Sequence, residues 1–149
     1  MYCKTVGPKN AKIMLVGEAP GVEEDKLGVP FIGTAGKTLD ILLSQAGIAR
    51  YECLITNVAR ERPPANKISF YFEDSKCTIP RPKLREWLQH LKSDIETYKP
   101  NVVVALGNTA LWALTGEKKI SEFRGYVLPC SLVEGVKVLA TYHPQAINH

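Results

Sequence analysis

A carboxylate, a carboxamide and an imidazole each follow closely after an apolar run of this chain. Glu18, Asn57 and His143 carry the three groups. A carboxylate can orient a water molecule, and a carboxamide both donates and accepts hydrogen bonds. An imidazole can donate to negative charge that develops during a reaction. These three residues are therefore the first candidates for a functional site.

The elements that must position these groups are four apolar runs. The runs cover residues 13–16, 54–56, 102–106 and 138–140. Helical patterns separate them, and this alternation favours a parallel sheet with both faces covered. The carboxyl ends of parallel strands meet at one edge of the sheet, where ligands bind. Residues far apart in sequence are therefore expected to line one pocket.

The spacing of leucines and other apolar residues places the main helices. It predicts a first helix over about residues 36–46, ended by Gly47, and a longer one from about residue 82 until Pro100. Asn108 is predicted to cap a short third helix. The whole pattern predicts a three-layer αβα sandwich around a central, mostly parallel four-stranded sheet.

The composition indicates one globular domain inside a cell. Of 149 residues, 45% are hydrophobic and 23% are charged, which excludes disordered and fibrous classes. No apolar stretch approaches the roughly 20 residues that span a bilayer, and the N-terminus lacks a signal-peptide pattern, so we expect a cytoplasmic protein. The net charge of +4 permits a polyanionic partner without indicating one.

The cysteines contain no C-x-x-C pair. Disulfides are uncommon in intracellular chains, so the thiols are expected to be mostly reduced. Cys53 and Cys130 lie in or beside strand-like sequence, where a free cysteine packs as a small hydrophobe.

The chain also carries an ordered set of short motifs. They occupy residues 17–21, 23–25, 28, 30–33, 35–36, 56–58, 62–64, 104–107, 124–125 and 143–144. The set, from Gly17-Glu18-Ala19-Pro20-Gly21 to His143-Pro144, resembles the motifs of the uracil-DNA glycosylase superfamily over nearly the whole chain. The most similar branch is family four, thermophile and bacterial glycosylases that usually carry an iron-sulfur cluster. Glycosylase-like domains found with phage-type DNA polymerases are also similar.

The resemblance implies a DNA repair enzyme that hydrolyses the bond between uracil and deoxyribose after flipping the nucleotide into a pocket. Phe31 matches the aromatic platform that stacks on the flipped uracil. Asn57 matches the residue that reads the uracil edge and refuses cytosine. His143 matches the donor to uracil O2, where negative charge develops as the base leaves.

The same resemblance implies roles for the acidic residues near the first motif. Glu18 would orient or activate water and offset positive charge on the sugar, although the best-studied branch has an aspartate one position later, where this chain has Ala19. Glu24 and Asp25 match an acidic pair that would close the pocket wall against a thymine methyl; the alternative is a solvated acidic loop. The turn expected to approach the substrate closely contains Gly17, Ala19, Pro20 and Gly21.

The chain departs from family four at the positions that hold the iron-sulfur cluster. The family has an N-terminal C-x-x-C pair, a third cysteine just before Arg-Pro-Pro and a fourth about sixteen residues later. Here Glu61 stands at the third position, Cys77 at the fourth, and Cys3 is at most a remnant of the pair. Two thiolates cannot hold a cluster that needs about four, so no cluster is predicted. The proline-rich segment 60–82 must then be ordered by other contacts or be mobile.

The C-terminal end differs as well. The chain stops six residues after His143, where relatives continue into a segment that supplies a wedge for the duplex, and Gln145 replaces a small residue. We therefore expect a single domain over residues 1–149, truncated at its C-terminus. Uracil in single-stranded DNA is expected to be the easier substrate. The protein is expected to be a monomer that acts near a DNA polymerase or other repair proteins.

Two other interpretations stay open from sequence. One is a catalytically silent glycosylase-like domain that binds DNA phosphates through lysines and arginines at the rim and is associated with a polymerase. The other is a doubly wound nucleotide-binding protein whose Gly17–Gly21 turn cradles phosphate. The second is ranked last because the chain has neither Gly-x-Gly-x-x-Gly nor a Walker lysine.

Overall fold

The computed structural model describes residues 1–147 and contains a five-stranded sheet. The strands are β1 (Ile13–Gly17), β2 (Leu54–Asn57), β3 (Val102–Leu106), β4 (Val127–Pro129) and β5 (Lys137–Thr141). Their order is β2-β1-β3-β5-β4, with all pairs parallel except β4 and β5. The mostly parallel α/β fold is therefore confirmed. The predicted count of four strands is wrong.

The additional strand is β4, which lies at one edge of the sheet. It has three residues, and both Val127 and Pro129 are exposed. Leu128 pairs with Val138 in the antiparallel register. Proline has no N–H for a ladder and is accommodated at an edge. With only three residues, β4 is too short to show a strand pattern in the sequence, and its pairing with β5 defines it.

Apolar side chains of the central strands alternate between two cores, one on each face of the sheet. Met14 and Val16 belong to the larger core, whereas Leu15 belongs to the smaller one. The larger core also contains Leu84, Trp87, Leu91, Ile95, Ala110, Leu111 and Leu114. Leu39 and Leu43 cover the other face. Helices therefore enclose the sheet from both sides.

The described helices are α1 (Val22–Leu27), α2 (Thr34–Gln45), α3 (Pro82–Tyr98), α4 (Asn108–Thr115), α5 (Ile120–Phe123) and α6 (Pro144–Ile147). The helices α2 and α3 agree closely with the predicted ranges. The short helices α1, α5 and α6 were not predicted, because none is long enough to show a period. Within residues 1–147, no helix has the length and apolarity needed to cross a membrane.

The prediction that Asn108 caps α4 is wrong. Gly107, with a φ of +95°, is the N-terminal cap, and Asn108 is the first helical residue. The Asn108 side-chain oxygen accepts a hydrogen bond from the Ile120 N–H at 2.9 Å. This carboxamide therefore ties α4 to the start of α5, a contact that local sequence could not reveal.

The segment between β2 and α3 is ordered by aromatic contacts. It contains two short 3-10 turns, Pro64–Asn66 and Ile68–Tyr71. The Tyr71 hydroxyl donates to the Glu61 carbonyl at 2.8 Å, and its ring meets Trp87 edge-on at a centroid distance of 4.9 Å. Burial raises the pKa of Tyr71 to about 12, so the phenol stays a hydrogen-bond donor at neutral pH.

Candidate active site

A cleft of about 730 Å³ opens at the carboxyl end of the parallel strands. Glu18 enters it directly after β1, Asn57 at the end of β2, and His143 two residues after β5. In the register of the sheet, Gly17 pairs with Asn57. The fold thus brings the carboxylate, the carboxamide and the imidazole to one site, as expected for ligand sites in such sheets.

Most of the residues expected near the substrate line this cleft. They are Glu18, Ala19, Pro20, Gly21, Glu24, Phe31, Asn57 and His143. Gly17 has a different position, beneath the lining. A Cβ added there would come within 2.6 Å of Asn57 Oδ1 and overlap the Phe31 ring. The missing side chain of Gly17 is what lets these two groups pack together.

Phe31 has an unusual backbone for a bulky residue, with a φ of +55°. Its ring is buried and lies 5.7 Å from the His143 ring, centroid to centroid, at an interplanar angle of 30°. A Cβ at Gly36 would overlap the Phe31 carbonyl, so α2 can begin this close only because Gly36 has none. Left-handed backbone of this kind persists where surrounding contacts enforce it, often at functional sites.

Glu24 makes some of the contacts that hold the backbone around Phe31 in place. Its carboxylate accepts hydrogen bonds from the backbone N–H groups of Gly21 at 2.9 Å, Ile32 at 2.9 Å and Gly33 at 2.7 Å. Burial alone would raise the pKa of Glu24, but these backbone bonds outweigh it and lower the pKa. The ionised side chain therefore joins the first-motif turn to the residues that follow Phe31.

Glu24 and the next residue, Asp25, make different contacts. Asp25 is partly exposed and pairs with the Met1 amine at 2.6 Å, and it does not line the cleft. The expectation that both acidic residues close the pocket wall is therefore wrong for Asp25, because the turn of α1 directs it away. The solvated-loop alternative does not describe Glu24, which is buried and fully engaged by backbone.

Asn57 is buried, and its Oδ1 has no hydrogen-bond partner among the described residues. Its backbone carbonyl, in contrast, accepts from Arg60 Nε at 3.0 Å. Arg60 is itself buried and forms an ion pair with Asp94 at 3.1 Å. A buried acceptor without a donor costs about 1–3 kcal/mol. The backbone of Asn57 is fixed while its side chain keeps an acceptor for a ligand.

His143 is held in one orientation by backbone of the next helix. The Gln145 N–H lies 3.1 Å from His143 Nδ1, so Nδ1 is the acceptor and the ring proton belongs on Nε2. Burial lowers the pKa of His143, which favours the neutral imidazole at neutral pH. A neutral ring with Nε2–H can donate one hydrogen bond into the cleft.

Glu18 is held by a residue that the sequence analysis missed. The Thr109 hydroxyl donates to Glu18 Oε2 at 2.5 Å. Burial raises the pKa of Glu18, and the bond from Thr109 offsets this in part. Thr109 follows β3 by three positions, so the rule that placed Asn57 and His143 at strand ends would also have placed Thr109 near the site, although not its bond to Glu18.

Two further residues to which the sequence analysis gave no role lie at the rim of the cleft, next to His143. Tyr142 lines the cleft, and the Arg124 guanidinium lies 5.1 Å from the centroid of its ring. Arg124 is exposed and precedes the edge strand β4. A cation beside an exposed aromatic ring suits contact with nucleic acid, which offers both phosphates and base faces.

The described cysteines do not fit an iron-sulfur cluster. All are free thiols, and residues 1–147 contain no group of three or more His, Cys, Asp or Glu side chains arranged to hold a metal. The Cys3 thiol is fully buried, with its Sγ 3.4 Å from the Glu24 carbonyl. Glu61, at the third ligand position, instead faces Lys83 at 3.8 Å.

Comparison with known proteins agrees with this geometry. Residues 4–149 match the family model described as the uracil DNA glycosylase superfamily. The chain is 39% identical to a type-4 uracil-DNA glycosylase of Thermotoga maritima, over 93% of this chain and 67% of that protein. It is 37% identical to the type-4 enzyme of Archaeoglobus fulgidus, over 98% of this chain and 71% of the relative.

A more distant match is a DNA polymerase of Bacillus phage SP01, 27% identical over 97% of this chain but only 14% of that protein. The two glycosylases are similar to almost all of this chain, which spans about two thirds of their length. With the family model matching over residues 4–149 and the cleft built from the same motifs, the chain belongs to the uracil-DNA glycosylase superfamily.

Proposed function

We propose that this chain is a DNA repair glycosylase that hydrolyses the N-glycosidic bond of deoxyuridine in DNA. The observation that carries the proposal is the buried, unpartnered Oδ1 of Asn57 in the same cleft as Phe31 and His143. Uracil offers an N–H beside a carbonyl on its pairing edge, which matches a carboxamide acceptor and donor. Cytosine reverses this pattern and would leave buried polar groups unpaired.

Four residues of the cleft have roles in the proposed reaction. The flipped uracil stacks on Phe31, while Asn57 pairs with its edge. As the glycosidic bond breaks, the sugar gains positive charge and the base gains negative charge. His143 donates from Nε2 to uracil O2, and Glu18 orients the attacking water and offsets the charge on the sugar. Fixed groups aimed at developing charge are commonly the largest catalytic contribution.

We further propose that the reaction proceeds without an iron-sulfur cluster, because the cysteines and Glu61 do not form a ligand set. Single-stranded DNA is the preferred substrate, since a base outside a duplex is easier to extrude. The protein acts as a monomer in the cytoplasm, beside a polymerase or other repair proteins.

The main alternative is a silent glycosylase-like domain that only binds DNA. Relatives that are 33–39% identical to this chain are type-4 uracil-DNA glycosylases, and the cleft holds Glu18, Asn57 and His143 together. A domain that only binds phosphates has no use for a buried carboxamide acceptor. The enzymatic function is therefore favoured.

Release of uracil from labelled single-stranded DNA tests the proposal. The wild-type chain should excise uracil and leave a matched cytosine oligonucleotide intact. Asn57→Ala should reduce uracil excision by about tenfold to a hundredfold, since leaving a buried polar group of the base without its hydrogen bond costs about 1–3 kcal/mol. DNA affinity should change little, because it comes mainly from phosphate contacts.

Asn101→Ala is the matched control, because Asn101 is exposed and lies outside the cleft. Equal loss of excision and DNA affinity in Asn57→Ala would assign Asn57 to the fold instead. No excision by the wild-type chain on single-stranded or duplex DNA would support the silent-domain alternative.

A further inference from the structure

Among the described residues, one oxygen of the Glu18 carboxylate accepts a hydrogen bond. Thr109 is the second residue of α4, and its hydroxyl donates a hydrogen bond to Oε2 of Glu18 at 2.5 Å. The bond joins the loop after β1 to the helix after β3, 91 residues apart in sequence. The Glu18 backbone is held separately, because the Ala59 N–H donates to its carbonyl at 2.9 Å. Backbone and side chain of Glu18 are thus fixed by different elements.

Thr109 does not serve its own helix through this hydroxyl. The N-terminus of α4 has no side-chain capping hydrogen bond, and its cap is Gly107. Thr115 shows the opposite arrangement at the other end of α4, where its hydroxyl donates to the Leu111 carbonyl at 2.8 Å. The Thr109 hydroxyl is therefore directed at the cleft carboxylate, whereas that of Thr115 bonds to backbone within α4 and just beyond its end.

We propose that Thr109 is a positioning residue for the reaction: by holding Oε2 of Glu18, it fixes the orientation of the carboxylate and leaves Oε1 to bind the attacking water. This inference rests on the proposed glycosylase function. A hydroxyl bonded to one oxygen restricts rotation of the carboxyl group, and an oriented carboxylate places water better than a rotating one. The bond also stabilises the charged form against burial.

The other ionisable residues that line the cleft do not replace the hydrogen bond from Thr109 to Glu18. On the cleft, Glu24 is occupied by backbone N–H groups and His143 is neutral, while Glu23 is exposed. The remaining ionisable cleft residue is Tyr142. From the segment before α3, Cys77 has its pKa raised by burial first, and then by the charges of Asp74 and Glu18. None of these supplies a hydrogen bond or positive charge to Glu18.

The test compares Thr109→Val with Thr109→Ser. Valine keeps the shape but removes the donor, so single-turnover uracil excision should fall by about tenfold to a hundredfold, the effect of a hydrogen bond to a charged group. The acidic limb of the pH–rate profile should move to higher pH, because Glu18 loses a bond that lowers its pKa. Serine restores the hydroxyl and should restore both rate and profile. Thr115→Val is the matched control in α4 and should leave both unchanged.

A double-mutant cycle separates positioning from a general effect on the fold. In a Glu18→Gln background, Thr109→Val should cost little further activity, because there is no carboxylate left to hold. An equal loss in both backgrounds, or Thr109→Val with the wild-type rate and profile, would overturn the proposal. So would Thr109→Ser behaving like valine. If Thr109→Val does not fold, Thr109→Ala takes its place with the same expectation.

Titration of the Glu18 side chain by ¹³C NMR in the free protein needs no activity. Its pKa should be higher in Thr109→Val than in the wild type or Thr109→Ser. An unchanged titration would refute the pairing. If the wild-type chain released no uracil, the glycosylase function would fail, while the titration would still decide whether Thr109 controls Glu18.

Discussion

The Phe31 and His143 rings lie side by side, with centroids 5.7 Å apart and planes tilted by 30°. They come from opposite ends of the chain, one before α2 and the other after β5. In the proposed reaction, Phe31 contacts the face of the base and His143 its departing edge. Both residues line the same cleft.

Replacing Phe31 with alanine should reduce uracil excision much more than DNA affinity. Stacking of a base on an aromatic side chain contributes about 1–3 kcal/mol, so a loss of about tenfold to a hundredfold is expected. Single-turnover excision and DNA binding of the same oligonucleotide measure the two effects. Phe70→Ala is the control, because Phe70 is exposed and does not line the cleft. Parallel losses of excision and affinity would show that Phe31 serves general binding.

His143→Ala should lower the single-turnover rate by about a hundredfold to a thousandfold, the effect of one well-placed donor to developing negative charge. The deficit should shrink on 5-fluorouracil, which leaves more easily. His90→Ala is the control, because His90 contacts Tyr2 away from the cleft. A mutant that matches the wild type on both bases would make His143 a structural residue.

The rate should not require protonation of His143. Burial lowers the pKa of the ring, so it is neutral at and above neutral pH, and Nε2 keeps its proton. Excision measured from pH 7 to about pH 8.5 should therefore show no decline that depends on His143. A decline present in the wild type and absent from His143→Ala would indicate an imidazolium donor.

Glu24→Gln should destabilise the protein in a pH-dependent way. Hydrogen bonds from Gly33, Ile32 and Gly21 lower the pKa of Glu24, so ionised Glu24 stabilises the fold above its usual value of 4.5. That contribution is lost as the pH falls through the lower folded-state pKa. At pH 7 the free energy of unfolding should drop by about 1.5–3 kcal/mol, the range for a bond to a charged group.

Denaturant unfolding at pH 7 and in acid measures this difference. The difference in the free energy of unfolding between wild type and Glu24→Gln should become smaller in acid, because protonated Glu24 resembles glutamine. Glu96→Gln, at an exposed position of α3, is the control and should change stability by less than about 0.5 kcal/mol. A difference that stays constant with pH would mean that the charge of Glu24 contributes nothing.

The purified protein should be colourless and contain no stoichiometric iron, even when it is produced with iron and sulfide in excess. Metal analysis and visible absorption measure this. Cys77→Ala should retain folding and uracil excision, because the segment is ordered by Tyr71 and Phe72 packing on tryptophans. Stoichiometric iron that disappears in Cys77→Ala would reverse the assignment.

Apolar runs and their endings determined much of the fold from sequence. Four buried strands, the helices α2 and α3, and the delivery of Glu18, Asn57 and His143 to one edge follow from local hydrophobicity and from the geometry of parallel sheets. The family motifs predicted Phe31 as a further cleft residue. These features depend on short stretches of chain, so a single sequence carries them.

Tertiary structure alone decided the contacts between distant segments. The hydrogen bond of Thr109 to Glu18 and the ion pair of Arg60 with Asp94 each join segments that are far apart in sequence. The edge strand β4 exists only through its pairing with β5. The left-handed backbone of Phe31 depends on packing against Gly17 and Gly36. Local sequence does not encode such contacts, because their energy appears only when the complete fold brings both partners together and excludes water from between them.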